Sequence, residues 1–287
     1  MGSAFTPGWQ AGLELSLRQR HNLTRLTHAR HWGPLRVQRP FYPGLGTSEG
    51  SGECHLYLLH PPGGMVSGDC LQMNIDLAEN AHGLLTTPSA GKIYRGNHTD
   101  ARQKQEVSCR VGDGSLLEWL PQETIVFDGA RGELSLRVEL DETSSCCLWD
   151  IVCLGRPASA EYFTQGFLRQ RLALYRNNEP VYVESNHFVG GSALLAEPWG
   201  LGGRPVTGSF LVTASIDSEI LAALQGLALS YSVDNDMAAV SCVDGLVVIR
   251  YLGGSVERCK ELFIDCWQQL RPLVRNLAAI EPRIWRT

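Results

Sequence analysis

Four acidic residues occupy positions where an acid is costly. Glu118 interrupts Leu116-Leu117-Glu118-Trp119-Leu120, Asp150 sits in Cys146-Cys147-Leu148-Trp149-Asp150-Ile151-Val152-Cys153-Leu154, and Glu184 follows Val181-Tyr182-Val183. Asp69 closes a glycine-rich loop, His60-Pro61-Pro62-Gly63-Gly64-Met65-Val66-Ser67-Gly68-Asp69, just before a strand pattern. An ionised carboxylate among apolar side chains is unfavourable unless it is paired, hydrogen-bonded or turned toward internal water. A salt bridge to an arginine would explain any one of them, and a rigid turn with an Asx cap would explain Asp69. Four together favour a shared polar interior. A second polar stretch, Thr86-Thr87-Pro88-Ser89-Ala90-Gly91-Lys92-Ile93-Tyr94-Arg95, places hydroxyls, a lysine and an arginine on a bent double strand or a surface hairpin.

Familiar reaction chemistry is missing. Gly91-Lys92 is followed by Ile93 and lacks the upstream glycine of a phosphate loop, and GxSxG, HExxH and DxDxDG patterns are absent. The eight histidines have no tight metal-ligand spacing, and the nine cysteines form no CxxC pair. An odd, scattered set of cysteines argues against a zinc ribbon or disulfide framework and for reduced core thiols in a cytoplasmic protein. The first dozen residues lack the basic and apolar regions of a secretory signal, and no apolar run reaches the roughly 18 residues of a membrane helix. A net charge of −5 without a basic tract argues against nucleic acid or an acidic membrane surface as partner.

The elements that must position these groups are mostly strands. Leu13, Leu15 and Leu17 alternate with Glu14, Ser16 and Arg18; Leu71, Met73, Ile75 and Leu77 repeat the pattern, as do Leu134, Leu136, Val138 and Leu140. A period of two is that of a half-buried strand, whereas the unbroken apolar run around Asp150 reads as a strand covered on both faces. Thirty glycines in 287 residues supply many tight turns, including a cluster at 44–52. The last quarter changes period. Asp217 or Ser218 can cap a helix bearing Ile220, Leu221, Leu224 and Leu227, and Ser255 can cap one bearing Cys259, Leu262, Phe263, Cys266, Trp267 and Leu270. Two strands joined at Asp244-Gly245 lie between them, and Pro272 is expected to stop the second helix. This predicts a β body over 1–214 and an α-β-β-α lobe over 215–287.

Several blocks in one order carry a family resemblance: Trp9-Gln10-Ala11, Gly33-Pro34-Leu35-Arg36-Val37-Gln38-Arg39-Pro40-Phe41-Tyr42-Pro43, Leu58-Leu59-His60-Pro61-Pro62-Gly63-Gly64, Leu117-Glu118-Trp119-Leu120-Pro121-Gln122-Glu123, Leu154-Gly155-Arg156-Pro157 and Pro282-Arg283-Ile284-Trp285. With them the chain resembles, nearly end to end, the urease accessory proteins UreD or UreH. Ser67-Gly68-Asp69 replaces the family's usual Gly-Gly-Asp, Ile93 replaces a phenylalanine, and the stretch 44–53 is longer than the family pattern.

The resemblance implies a mainly β, solenoid-like (β-helical) stack of short strands with two C-terminal helices. It implies a chaperone and not an enzyme, binding apo-urease and UreF, with the GTPase UreG reached through UreF. No tightly bound cofactor is implied; nickel is cargo in transit through an internal polar tunnel. Scattered carboxylates and hydroxyls suit such transit, because clustered thiolates and imidazoles would hold nickel too firmly to release it. Asp69, Asp150 and Glu184 are the expected transit ligands, with Glu118 and Glu161 as weaker ones and His60, Thr86, Lys92, Tyr94 and Arg95 lining the path. Two other readings stay open: a scaffold linking UreF to urease without touching nickel, and a β-solenoid enzyme acting on polysaccharide. The last requires exposed aromatic platforms, whereas most of the seven tryptophans lie in apolar runs.

Overall fold

The computed structural model describes residues 8–43, 52–97 and 100–286; most of the 44–52 turn cluster lies outside them. The strands are β1 (Gln10–Arg20), β2 (Leu23–Trp32), β3 (Arg36–Val37), β4 (Cys54–Leu59), β5 (Cys70–Leu77), β6 (His82–Thr86), β7 (Gly91–Ile93), β8 (Gln103–Val111), β9 (Leu116–Trp119), β10 (Thr124–Val126), β11 (Arg131–Leu140), β12 (Ser145–Leu154), β13 (Phe167–Arg176), β14 (Glu179–Val189) and β15 (Val206–Thr213), with a one-turn α1 (Ala193–Ala196) before the last. Then come α2 (Ser218–Ser230), β16 (Met237–Val243), β17 (Leu246–Gly253) and α3 (Val256–Arg275).

Two sheets result. The first runs β14-β13-β11-β8-β5-β1-β2, and the second runs β16-β17-β15-β12-β9-β6-β4-β3 with β10 and β7 added beside the end of β12. From β4 to β13 the chain passes back and forth between them, so β1, β5, β8, β11 and β13 pair in parallel in one sheet while β4, β6, β9 and β12 do so in the other. Parallel neighbours need a crossover, and here a strand of the facing sheet supplies it. Antiparallel strands finish each edge: β2 and β14 in the first sheet, and β15, β17 and β16 in the second.

The alternating leucines of β1, β5 and β11 point between the sheets and form one core with Leu56, Leu85, Leu117, Leu148 and Val152. The opposite face of the second sheet makes another core with α2 and α3, through Trp149, Phe210, Val247, Leu224, Phe263, Trp267 and Leu270. The run 146–154 is covered on both sides for this reason. Strands β16 and β17 extend the second sheet, and their two-residue turn puts Asp244 and Gly245 at φ 48° and 76°, a left-handed pair that Asp-Gly adopts readily.

Asp217 caps α2 by accepting the backbone N–H groups of Glu219 and Ile220 at 3.0 and 2.8 Å, and Ser255 caps α3 through Arg258 N–H at 3.1 Å. Gly208 lets α3 sit close to β15: a Cβ there would lie 2.5 Å from Cys259 Sγ and 2.9 Å from Phe263 Cζ.

Several expectations change. Pro272 does not end α3, which continues to Arg275 and stops at left-handed Asn276; a proline this near the end sacrifices one helical hydrogen bond without breaking the last turn. The stretch 86–95 is not a hairpin, because β7 pairs in parallel with β10 and not with β6. Trp119, Trp149 and Trp267 are core, but Trp9, Trp32 and Trp199 are exposed. All nine cysteines are free thiols and seven are buried. No helix of the described residues is long and apolar enough to cross a membrane.

Candidate functional site

Between the sheets lies a cavity of about 320 Å³, walled by the inward faces of β5, β8 and β11 and by Trp119 and Asp150 of the second sheet. The turn residues His60, Gly63 and Gly64 and the segment 87–92 also line it. Since one water needs about 10–15 Å³ of such space, a file of waters fits.

Asp150 faces this cavity because Leu148 and Val152, its neighbours of the same parity on β12, face the inter-sheet core. Its carboxylate accepts Gln170 Nε2–H at 2.9 Å. The rest of its surroundings is largely protein, and the residue is partly buried. Burial therefore lifts its pKa from 3.8 to about 6, against the lowering by Gln170 and with a further push from the Glu184 charge. Among the described residues no cation pairs with it.

A hydrogen-bonded chain continues from there. Asn186 donates from Nδ2 to Gln170 Oε1 at 3.1 Å and to Glu184 Oε1 at 2.8 Å. Glu184 Oε2 accepts the Tyr182 and Ser209 hydroxyls at 2.6 and 2.9 Å, and Arg250, half exposed, lies 3.4 Å from it. Burial alone would raise the Glu184 pKa, but these donors and the Arg250 charge outweigh it and hold the carboxyl below its ordinary range. Strands β12, β13, β14 and β15 thus join Asp150 and Glu184 in one polar network.

The remaining sequence candidates are dispersed. Asp69 immediately precedes β5, and its two oxygens accept Trp9 and Val66 backbone N–H groups, each at 2.8 Å. His60 lines the cavity; desolvation lowers its pKa and the nearby Asp69 charge opposes that. Lys92 also lines the cavity, while Tyr94 packs edge-on against Phe127 with ring centroids 4.9 Å apart. Arg95 pairs with Asp128 at 2.8 Å, and Glu161 pairs with Arg156 through Nε at 2.8 Å. Thr86 points to the other side of the second sheet, donating to Leu120 O at 2.6 Å and accepting Trp285 Nε1–H at 2.9 Å.

Glu118 also lies on that side, under α3, in a cluster that no sequence spacing announced. It accepts Trp267 Nε1–H at 2.7 Å and Arg271 Nε–H at 3.1 Å, and its Oε2 is 2.7 Å from His82 Nε2. Arg271 also bonds Glu53 Oε2, and His55 Nε2 is 3.0 Å from Glu53 Oε1. Glu53, His55, His82, Glu118 and Arg271 are all at most 2% exposed. Burial would raise both carboxyl pKa values, yet the hydrogen bonds and charges of Arg271 and the histidines hold both below the ordinary range. The signal in the sequence is each residue's isolation: His55 and His82 are lone polar groups in apolar strands, and Arg271 falls on the apolar stripe of α3, four residues after Trp267.

Comparison with known proteins matches residues 10–286 to the family described as UreD urease accessory protein. The chain is 42% identical to a urease accessory protein UreD of Saccharophagus degradans, covering 99% of this chain and 95% of that protein. It is 40% identical to one from Azoarcus sp. and 41% identical to one from Pseudomonas fluorescens, in each case covering 99% of this chain, with 96% and 97% of the relative. With that likeness running through both sheets and α3, the chain belongs to the UreD family of urease accessory proteins, which serve urease maturation and are not enzymes.

Proposed function

We propose that the chain binds apo-urease and UreF, reaches UreG through UreF, and gives nickel a passage between its two sheets to urease. One observation carries this reading: Asp150 lines the inter-sheet cavity, and a hydrogen-bonded polar chain runs from it to Glu184. We read the back-and-forth course of β4 to β13 as a solenoid-like coil whose interior is that passage.

The chemistry suits a moving divalent ion. Asp150, Glu184 and the amide and hydroxyl oxygens around them are hard donors spread over several strands, so each binds nickel weakly and an ion can move on. With a pKa near 6, Asp150 is largely ionised at neutral pH and can attract a cation. In this reading His60, which lines the cavity, and Asp69 near it serve as entry groups, while Glu161, paired with Arg156, and Glu118, on the other face of β9, are not part of the cavity lining.

The test is nickel incorporation into urease by complexes assembled with Asp150→Asn, Glu184→Gln or the blocking variant Asp150→Arg. Slower incorporation with assembly intact is the expected result; normal incorporation by all three refutes the passage. The scaffold reading has one observation in its favour, since Arg250 already gives Glu184 a cation at 3.4 Å. It predicts normal nickel incorporation in every variant that assembles.

A further inference from the structure

We infer that the outer face of the first sheet, where β8, β11, β13 and β14 lie side by side, docks an acidic surface of a partner protein. The inference rests on the assembly with apo-urease and UreF proposed above and adds the face by which this chain is gripped.

The two sheets differ in their cover. Helices α2 and α3 close the outer face of the second sheet. On the outer face of the first, strand register sets Lys104, Glu133, Arg169 and His187 in one row across four strands, and Glu106, Ser135, Arg171 and Ser185 in the next. Of these, Glu106, Arg169, Arg171, Ser185 and His187 are exposed and the other three half-buried. Ser135 has a short side chain among longer ones, and the two rows enclose a shallow hollow of about 400 Å³.

Charge is uneven there. One carboxylate serves three cations: Glu133 Oε1 accepts from Arg102 and, at 3.3 Å, from Arg169, while Lys104 Nζ lies 3.6 Å from Oε2. Arg171 pairs with no carboxylate among the described residues, whereas Arg131, beside Phe167, is already matched by Asp100. Arg102, Lys104, Arg169 and Arg171 thus face only Glu106 and Glu133, an excess of positive charge on a chain whose net charge is −5. Phe167 steadies two of the cations, with the Arg102 and Arg169 guanidiniums 5.8 and 5.4 Å from its ring centroid. Side chains already held in place lose less freedom on binding.

The border of the patch is apolar. β14 is the edge of the sheet, and its outward residues Val183 and Val189 are 46% and 41% exposed. Exposed edges are ordinarily defended by charge. Arginine beside apolar side chains is instead the composition of a protein interface. The interleaved acids argue the same way. Glu106 and Glu133 repel a continuous polyanion such as nucleic acid or an anionic lipid surface, whereas a protein can set separate carboxylates against Arg171 and Lys104 and a donor against Glu106. A carboxylate over Arg171 can take two parallel N–H bonds from its guanidinium.

The test measures association of the full chain with apo-urease and with UreF, using an Arg169→Glu, Arg171→Glu double variant whose fold is checked by circular dichroism. Affinity for one of the two should fall at least tenfold at physiological ionic strength, with the gap closing as salt rises. Arg169→Lys with Arg171→Lys should keep most of the affinity, and Arg18→Glu with Arg20→Glu, the same charge change at the far end of β1, should keep all of it. Unchanged binding of both proteins by the first variant overturns the docking face and leaves the proposed passage standing. An equal loss in the Arg18, Arg20 pair also overturns it, since net charge and not this patch would then be responsible. Parent chain that binds RNA or anionic vesicles through Arg169 and Arg171 overturns it in favour of a polyanion. A parent that assembles with neither protein refutes the proposed function and this face together.

Discussion

Replacing Asp150 by asparagine isolates the cost of its buried charge. Asparagine keeps the volume and an oxygen to accept Gln170 Nε2–H, but cannot ionise. A rise in pKa from 3.8 to about 6 means that the folded protein disfavours the carboxylate by about 3 kcal/mol relative to the unfolded chain. The sign follows from the direction. Below about pH 3 the acid is neutral in both states and costs nothing; as pH rises toward 6 the unfolded chain ionises first; well above 6 both states are charged and the full penalty applies. Wild-type and Asp150→Asn chains should therefore unfold in urea with equal free energies near pH 3. By pH 8 the variant should be more stable by about 3 kcal/mol. Titrating groups other than Glu184, whose charge is coupled to Asp150, cancel in the difference. Equal stabilities at both pH values would refute the view that Asp150 is desolvated without a compensating cation. Nickel added at pH 8 should stabilise the wild type more than the variant.

Further outcomes follow from the other buried groups. Arg271→Met leaves Glu53 and Glu118 without their guanidinium and should cost about 3–5 kcal/mol in urea unfolding, the range for a broken buried pair. Because Glu53 and Glu118 have depressed pKa values, their contribution is complete above the ordinary carboxylate range and is lost as pH falls through the folded values; acid titration followed by circular dichroism should show that loss, and Glu118→Gln should remove part of it. Gly208→Ala forces a methyl against Cys259 and Phe263 and should cost about 1–3 kcal/mol, read as a lower thermal midpoint. Trp285→Ala removes a ring that stacks near Trp149 and Trp267 and donates to Thr86; as Trp285 is only partly buried, the loss should fall near the low end of about 3–5 kcal/mol.

Local patterns determined a good deal of this protein. Alternation in Leu13–Leu17, Leu71–Leu77 and Leu134–Leu140 set which residues of β1, β5 and β11 face the core, because the side-chain period of a strand leaves no other choice once one face is apolar. The unbroken run around Asp150 marked a strand covered on both sides, and Asp217, Ser255 and Asp244-Gly245 marked two helix starts and a turn through their own hydrogen-bonding and φ preferences. Acids in apolar surroundings were visible as anomalies. Their destinations were not, because strand parity says that a residue faces one side without saying what lies there. Only the pairing of strands far apart in the chain decided that Asp150 meets the cavity and Glu184, while Glu118 meets His82 and an arginine 153 residues later. Histidines 55 and 82 carry no spacing signal because β4 and β6 become neighbours only after the chain has crossed to the other sheet and back. Sequence alone fixes side-chain parity and local hydrogen bonding; tertiary structure sets which buried charges find one another, because a carboxylate's energy depends on the groups within a few ångströms of it and not on its neighbours in the chain.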